Sequence, residues 1–536
     1  MEKVLLTGAR FFTLESARPE AEALYVEKGR IVAVGDRGEV LLQHGRADVR
    51  RIYLQGGFAF PGLVDSHLHL AMFGRKLMLI DFSPVRAKEE MLRLLRERVA
   101  KIPPGEWVLG SNWDENRFRD GGIPTREELD AVAPRHPVFL TRVCHHVHLA
   151  NSAAFQAAGV AEDAPDPAGG AYGRDDSGRL NGLIYEKASR PFFDAQPRPA
   201  FGRMKEMVRR AVKYALSLGV TGAHTDDLRE TGSLSDTLRI YRELVGEGEF
   251  FRTHHLIYHP LLEEAEEMGI RAGDGDEWVT VGGVKIFADG SLGGRTALLS
   301  RPYHDAPGRT GMAVHSREEL SELVGKCRRS GYPVAIHAIG DLAAERVIEA
   351  METFPGAKKG RRRLPDRLIH ASVLRRDLID RLKKLPVVLD IQPRFIASDF
   401  PWVTDRLGPG LLPCTYAWKT VLREGLICAG GSDAPIEPMN PLLGIHAAIT
   451  RRPPGGEGPP NGYLPGERLT PEEALALFTK GSAFAAGEGE ERGTLSAGKW
   501  ADVTVFDRNL LEADPEELPQ ARVLLTMVNG RIGYEG

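Results

Sequence analysis

The middle of the chain alternates between two kinds of segment, and this alternation limits its fold more than any other feature. Short apolar stretches such as GVTGAH, VGGVKIFAD, PVAIHAI, RLIHAS, VVLDIQ and GLICAGGSDA resemble buried strands. They alternate with stretches such as GRMKEMVRRAVKYALSLG, whose apolar residues recur every three or four positions, as in an amphipathic helix. Repeated strand–helix units favour an α/β fold, either a (β/α)8 TIM-like barrel or a doubly wound parallel sheet.

The two ends of the chain differ from the middle. Residues 1–58 and 489–536 contain short stretches in which apolar and polar positions alternate around glycine-containing turns. The termini of a compact unit often lie close together, so we predict one small β-sandwich domain built from both ends. Residues 59–488 then form the barrel, and the less regular stretch from about 75 to 205 is predicted to be an inserted α+β subdomain.

Composition restricts the partners. The 70 Lys and Arg residues nearly balance the 74 Asp and Glu residues, for a net charge of −4, which argues against nucleic acid or an anionic membrane as a partner. The four cysteines form no C-x-x-C pair, and no apolar run approaches the roughly 20 residues of a membrane helix. We therefore expect a cytoplasmic protein whose partner is a small molecule.

Side chains that bind metals stand at the ends of several predicted strands. His67 and His69 in FPGLVDSHLHL share one face of a strand, because residues i and i+2 do so. His337 closes VAIHAIGD, His370 lies in RLIHAS and Asp433 lies in GGSDAP. Strand ends converge at the mouth of a TIM barrel, where imidazole and carboxylate groups would suit Zn²⁺ or a similar ion. The alternative is a set of unrelated polar residues, each satisfied locally.

At this point the sequence resembles the amidohydrolase superfamily. FPGLVDSHLHL, AIHAIGD, LIHAS and GGSDAP match its metal-site motifs in order, and both ends resemble its flanking β-sandwich. VKIFADGSLGGRTALLS, GSNWDENRF and RVCHHVHLANS are similar to the YtcJ-like branch, which includes N-substituted formamide deformylases. The resemblance covers nearly the whole chain and implies a metal-dependent hydrolase, with a homodimer as a common assembly.

Lys285 lies inside the apolar strand VGGVKIFAD, where an ammonium group is costly to bury. One interpretation is that its charged end reaches water along the apolar surface or pairs with Asp289. The resemblance implies another, in which Lys285 reacts with CO₂ to give a carbamate that bridges two metal ions. If Lys285 is unmodified, we expect a single ion, held by His67, His69, Asp433 and one or both of the later histidines.

The expected chemistry is hydrolysis of a non-peptide C–N bond in an amide, N-substituted formamide, cyclic amide or carbamate. A metal lowers the pKa of its bound water from about 16 to roughly 7, which gives a hydroxide nucleophile at neutral pH. Asp433 would act as the proton shuttle, and His370 would help to polarise the carbonyl. Two alternatives stay open: deamination of an amino-substituted ring, and a non-catalytic scaffold or regulatory protein with the same fold.

Five further residues are candidates for substrate binding, from the inserted segment and the loops after strands. They are Trp113 and Asp114 in GSNWDENRF, His146 in RVCHHVHLANS, His224 in GVTGAHTDD and Arg295 in GSLGGRTA. His146 matches a substrate-contacting histidine that the resemblance to the YtcJ-like branch implies. For Trp113 the alternative is an ordinary aromatic residue packed near a turn.

Overall fold

The computed structural model describes residues 3–46, 48–119, 122–144, 146–356 and 364–536. Its central element is an eight-stranded parallel barrel, which confirms the barrel prediction. The barrel strands are β1 (Leu63–Leu68), β2 (Val220–Thr225), β3 (Arg252–Tyr258), β4 (Val279–Phe287), β5 (Val334–Ala338), β6 (Asp366–His370), β7 (Val387–Ile391) and β8 (Ile427–Gly430). Nearly every strand residue is buried, as expected where helices cover the outside and side chains fill the inside.

Each barrel strand pairs in parallel with the next one along the chain, from β1 to β8. The strands β1 and β8 are the two ends of this hydrogen-bonded order. The carboxyl ends of all eight strands consequently open on one mouth, where the polar residues that follow the strands can meet.

Amphipathic helices accompany the strands. The helix Phe201–Ser217 buries Met204, Val208, Ala211 and Ala215, among others, at spacings of three or four residues. Two of the helices around the barrel begin with a reciprocal capping box, Arg317–Arg329 at Ser316 and Pro471–Ala476 at Thr470. The remaining helices around the barrel are Leu70–Met78, Leu228–Thr231, Leu234–Gly246, Leu262–Glu267, Asp341–Thr353, Arg376–Leu382, Phe395–Asp399, Trp402–Leu411, Trp418–Arg423, Pro441–Thr450 and Ser482–Ala485.

Both ends of the chain build one seven-stranded sheet. In spatial order its strands are Arg531–Glu535, Val523–Val528, Val503–Phe506, Arg50–Pro61, Lys3–Phe12, Glu20–Glu27 and Arg30–Gly35, and a short helix, Arg37–His44, follows the last of them. The central contact joins the two termini, because Val503–Phe506 pairs antiparallel with Arg50–Pro61. Alternating side chains on these strands form an apolar core that includes Leu6, Leu24 and Val505.

The segment Arg75–Arg203 forms a separate compact unit, and the rest of the chain forms the other. Its six-stranded sheet has the order Gly170–Arg174, Leu180–Glu186, Val147–Ala150, Val138–Arg142, Val108–Trp113 and Ile80–Asp81. Its helices are Lys88–Val99, Arg126–Val132, Ser152–Ala157 and Arg190–Asp194. The predicted boundaries at 58/59 and 488/489 stay predictions. Across the described residues, no helix combines the length and apolarity needed to span a membrane.

Candidate metal centre

Backbone hydrogen bonds tie together β1 and the turn that follows β8. The N–H of Asp433 donates to the carbonyl of His67 at 2.7 Å, and the N–H of His69 donates to the carbonyl of Ala434 at 2.9 Å. Asp433 adopts a left-handed backbone conformation with φ of 59°, which is unusual for a residue other than glycine. Non-glycine residues held in this region often occur at functional sites.

Asp65 reinforces this connection from inside the barrel. Its Oδ1 accepts from the N–H of His67 at 3.1 Å and from the N–H of Ser432 at 3.0 Å. Burial raises the pKa of Asp65 to about 7, although these hydrogen bonds act in the opposite direction. Gly431 is required here, since a Cβ at this position would lie 2.6 Å from the backbone nitrogen of His67.

Three predicted ligands converge in the structure. Asp433 Oδ1 lies 3.3 Å from His69 Nε2 and 3.6 Å from His67 Nε2. One ligand atom from each of the three residues lies within 4.8 Å of the others. Two imidazole nitrogens and a carboxylate oxygen are a donor set suited to a divalent ion such as Zn²⁺. The residues present therefore fit a metal.

In the metal-free protein, electrostatics favour the ligand form of His67 and Asp433 but the protonated form of His69. Burial, with a contribution from the charge of Lys285, holds the pKa of His67 well below its usual value, which keeps the imidazole neutral. Burial also lowers the pKa of His69, but the hydrogen bond and charge of Asp433 outweigh it and leave that pKa raised. Burial opposes ionisation of Asp433, yet the hydrogen bond from His69 leaves its pKa below the usual value.

His337 and His370 lie beside this group. Their ring centroids are 4.5 Å apart, and the ring of His370 is 5.6 Å from that of His67. His370 Nδ1 lies 2.6 Å from Gln392 Oε1, so that this nitrogen donates and Nε2 is left as a free acceptor. His337 Nε2 lies 2.9 Å from the carbonyl oxygen of Gly290, which leaves Nδ1 as the acceptor. Both rings are thereby oriented by partners that sequence analysis did not identify.

Lys285 is fully buried, and its Nζ lies 3.2 Å from His67 Nε2. Burial lowers its pKa to about 8, against the field of acids that include Asp226. The alternative pairing with Asp289 is not observed, because Asp289 accepts hydrogen bonds from the backbone N–H groups of Leu298, Ile339 and Gly340.

A cavity of about 510 Å³ opens above the group. All six predicted metal-site residues line it, from His67 and His69 through Lys285, His337 and His370 to Asp433. Its walls also include the aromatic residues Phe287, Phe395, Trp402 and Tyr416 and the acids Asp226, Asp399 and Glu437. A cavity of this size, with apolar walls and a few polar groups at one end, is typical of a small-molecule site.

Three predicted substrate-binding residues lie in the unit Arg75–Arg203. Trp113 is 1% exposed within its apolar core, and its indole N–H donates to the carbonyl of Leu140, as the packing alternative expected. Asp114 caps a short 3₁₀ turn, Glu115–Arg117. His146 is exposed, and its Nδ1 lies 3.0 Å from a carboxylate oxygen of Glu186. Their roles in substrate binding stay predictions.

The other two candidates lie in the barrel unit but do not line the cavity. His224 is fully buried inside the barrel, with its ring centroid 5.1 Å from that of His254. Arg295 forms a two-pronged ion pair with Asp305, with nitrogen–oxygen distances of 3.1 and 2.6 Å. Their roles in substrate binding stay predictions.

Asp226 is a cavity residue that sequence analysis missed. It lies two residues beyond His224, at the carboxyl end of β2, in the same GVTGAHTDD stretch. The signal was present, because the residues immediately after a barrel strand face the mouth. The aromatic wall residues Phe395 and Trp402 belong to short helices after β7 and gave no comparable signal.

This barrel, with its histidine and carboxylate cluster at the mouth, has the architecture of metal-dependent hydrolases. A model of the amidohydrolase family matches residues 51–534. The chain belongs to the amidohydrolase family.

Individual relatives agree with this assignment. The chain is 40% identical to "Putative amidohydrolase YtcJ" of Bacillus subtilis (strain 168), over 99% of both chains. It is 28% identical to an N-substituted formamide deformylase of Arthrobacter pascens, over 100% of this chain and 99% of the relative. The crystal structure of an uncharacterised metal-dependent hydrolase from Pyrococcus furiosus is 31% identical, with a TM-score of 0.78 over 95% of this chain and 100% of that one.

Proposed function

We propose that this protein hydrolyses a non-peptide C–N bond of a small molecule with the help of a divalent metal, for which Zn²⁺ suits the donor set. The observation that carries the proposal is the convergence of His67, His69 and Asp433 at the mouth of the barrel, within 4.8 Å of one another. Membership of the amidohydrolase family and the similarity to an N-substituted formamide deformylase support the choice of bond.

When bound, the metal supplies a Lewis acid and an activated water for attack on a carbonyl carbon. Asp433 is placed to take a proton at a carboxylate oxygen and to pass it to the leaving nitrogen, because that oxygen lies at the centre of the cluster and opens on the cavity. His370 presents Nε2 to the same cavity, since Gln392 fixes its other nitrogen. The backbone bonds at Asp433 hold the carboxylate in place throughout.

The cavity walls support an apolar substituent on the substrate. Phe287, Leu292, Phe395 and Trp402 line the cavity together with the polar cluster. An apolar group on the amide nitrogen or on the acyl carbon would bury its surface against these side chains, which is favourable by roughly 25 cal/mol per Å². We therefore propose N-substituted formamides, amides, cyclic amides and carbamates with small apolar or aromatic groups as the substrate class.

A product-resolved substrate panel tests this function. The zinc-loaded protein is incubated with N-substituted formamides, simple amides, cyclic amides, carbamates, amino-substituted rings and dipeptides, and formate, carboxylate, amine and ammonia are measured separately. We expect release of an amine with formate or carboxylate, and loss of turnover in Asp433→Asn. Ammonia release from a ring alone would replace the proposal with deamination, and turnover of dipeptides alone would refute the non-peptide assignment.

We also propose that Lys285 carries a carbamate. The neutral amine attacks CO₂, the N–C bond forms and one proton leaves to solvent, which gives an anion able to bridge two ions. The support is the pKa of Lys285, which burial lowers to about 8, so that a larger share of the amine is neutral near pH 7. Lys285→Ala should reduce metal content by one ion per chain, with partial recovery on addition of a short carboxylic acid. Full retention of metal would contradict the carbamate.

A further inference from the structure

Hydrogen bonds of its main chain connect Asp226 to the end of β1 and to His69, which follows that strand. Its N–H donates to the carbonyl of Leu68 at 3.2 Å. Its carbonyl accepts from His69 Nδ1 at 3.0 Å, which turns His69 Nε2 towards Asp433. The main chain of Asp226 therefore orients the metal ligand His69. The same hydrogen bonds fix the backbone of Asp226 at the wall of the cavity.

The carboxylate of Asp226 has no hydrogen-bond partner among the residues that the structure describes. The residue is 1% exposed, and neither Oδ1 nor Oδ2 receives a hydrogen bond from the described residues. Buried charged groups are normally paired or bound to a metal, because an unpaired buried charge costs several kcal/mol. An aspartate left in this condition indicates a partner that the chain itself does not provide.

The next residue, Asp227, provides an internal comparison. It is equally buried, but its Oδ1 accepts from the N–H of Ala71 at 2.7 Å and its Oδ2 accepts from the hydroxyl of Tyr241. Two adjacent aspartates of the same turn thus differ in one respect. Asp227 is satisfied by the protein, whereas the side chain of Asp226, a residue of the cavity wall, receives no hydrogen bond from the described residues.

Two basic side chains lie near Asp226, but neither donates to its carboxylate. His69 contacts the main-chain carbonyl of Asp226, and both His69 and Lys285 line the same cavity as Asp226, so the carboxylate lies beside the centre. Lys285 nevertheless forms no ion pair with any carboxylate of the described ranges, and its hydrogen bond is to His67. Asp226 is also outside the group of three whose ligand atoms lie within 4.8 Å of one another.

On the basis of the proposed metal-dependent function, we propose that Asp226 is a further anion of the metal centre, whose negative charge binds the cation electrostatically from beyond the three converging ligands. A substrate group is the less suitable partner, because both carboxylate oxygens are buried and offer almost no accessible surface for a substrate to contact. A small cation in the centre acts on them through the low-dielectric interior, where charge interactions are strong.

The proposal predicts that removing the charge of Asp226 weakens zinc binding but does not weaken the metal-free fold. In Asp226→Asn the zinc dissociation constant should rise by about tenfold. This is the size of effect typical of residues that interact with the metal ligands without binding the metal themselves. The melting temperature of the metal-free protein should stay the same or rise, since an unpaired buried charge has been removed. In the matched control Asp227→Asn the metal-free melting temperature should fall, because two hydrogen bonds lose their charged acceptor, while zinc affinity changes less.

Zinc affinity is measured by competition with a chelating dye, and melting temperature by differential scanning calorimetry of the metal-free protein. Asp226→Ala is measured alongside as a second removal of the charge. Zinc binding weakened by about fivefold or more, with metal-free stability retained, supports the proposal. A smaller change in affinity, or a loss of stability that matches Asp227→Asn, overturns it. Neither readout needs turnover, so an absence of C–N hydrolysis would refute the proposed function without affecting this result.

Discussion

Two buried charged clusters, at opposite ends of the barrel, differ in how far the chain itself compensates their charges. At the amino end of β3, Arg252 meets Asp502 beside the terminal sheet, with nitrogen–oxygen distances of 2.7 and 3.1 Å. Asp502 also accepts from the N–H of Asn529 at 2.8 Å, and the guanidinium lies 3.9 Å from the ring centroid of Trp500. Both charges of this pair are compensated by groups of the chain itself.

The cluster at the carboxyl end contains buried polar atoms that have no hydrogen-bond partner among the described residues. His67 Nδ1 and both carboxylate oxygens of Asp226 are buried without a hydrogen-bond partner. Such groups weaken the metal-free fold, because their desolvation is not compensated. The comparison shows where stability and function separate in this barrel: the Arg252–Asp502 pair at the amino end is compensated by the chain itself, whereas the mouth retains unsatisfied groups for a ligand.

The largest expected effect comes from the mouth. Asp433→Asn keeps the shape of the side chain but removes its ability to accept and return a proton. We expect kcat to fall by about a thousandfold at saturating zinc, with metal still bound, because proton transfer by a positioned side chain commonly contributes 10²–10⁴-fold. Steady-state kinetics and metal analysis of the same preparation measure both quantities. Unchanged turnover would remove Asp433 from the role of proton shuttle.

Sequence analysis predicted the barrel and the polar cluster for the same physical reason. Parallel strands buried on both faces are almost continuously apolar, so that a histidine or aspartate at a strand end, such as His67 or Asp433, stands out. The order of these residues along the chain is also their order around the mouth. The order of polar strand-end residues in the sequence therefore predicts their arrangement around the barrel mouth.

The residues that sequence analysis assigned to the substrate illustrate its limit. The charge of Arg295 after a glycine-rich turn suggests a substrate anchor, but the structure pairs it with Asp305, ten residues further on. The place of His224 at a strand end suggests exposure at the mouth, but the residue is fully buried in the barrel and Asp226 lines the cavity. Ion pairing and the depth of a residue along a strand depend on three-dimensional packing, which periodicity does not specify.

The compensated end of the barrel provides the second prediction. Asp502→Ala would leave the Arg252 guanidinium buried at 3% exposure without its carboxylate. Breaking a buried ion pair in this way costs about 3–5 kcal/mol, so the melting temperature should fall markedly while zinc content stays normal. Calorimetry and metal analysis measure the two responses.

The control for this variant is Asp48→Ala, which removes the exposed partner of Lys3 and should leave the melting temperature unchanged. If the melting temperature of Asp502→Ala equals that of this control, the buried Arg252–Asp502 pair contributes little to stability. The contrast between the two ends of the barrel would then be wrong. Loss of zinc in Asp502→Ala would show instead that the amino end is coupled to the metal centre.

The smallest expected effect concerns pH. Despite burial, the hydrogen bond and charge of Asp433 raise the pKa of His69, while the pKa of Asp433 stays below its usual value. In the metal-free protein this pair stabilises the fold below the unfolded pKa of His69, about 6.5, and the contribution is lost as pH rises through the higher folded value. Zinc requires the opposite protonation state, because Nε2 must lose its proton to bind a metal.

The zinc dissociation constant should therefore rise as pH falls from 8 to 6, by at most about tenfold per pH unit for each proton displaced. Chelator competition at several pH values measures it, and His44→Gln, in the terminal-sheet region, should reproduce the wild-type profile. A zinc affinity that is independent of pH over this range would mean that His69 is already unprotonated in the metal-free protein. The ion pair between His69 and Asp433 would then be weaker than their 3.3 Å contact indicates. The charge of the Asp433 carboxylate would be a further unpaired charge at the mouth of the barrel.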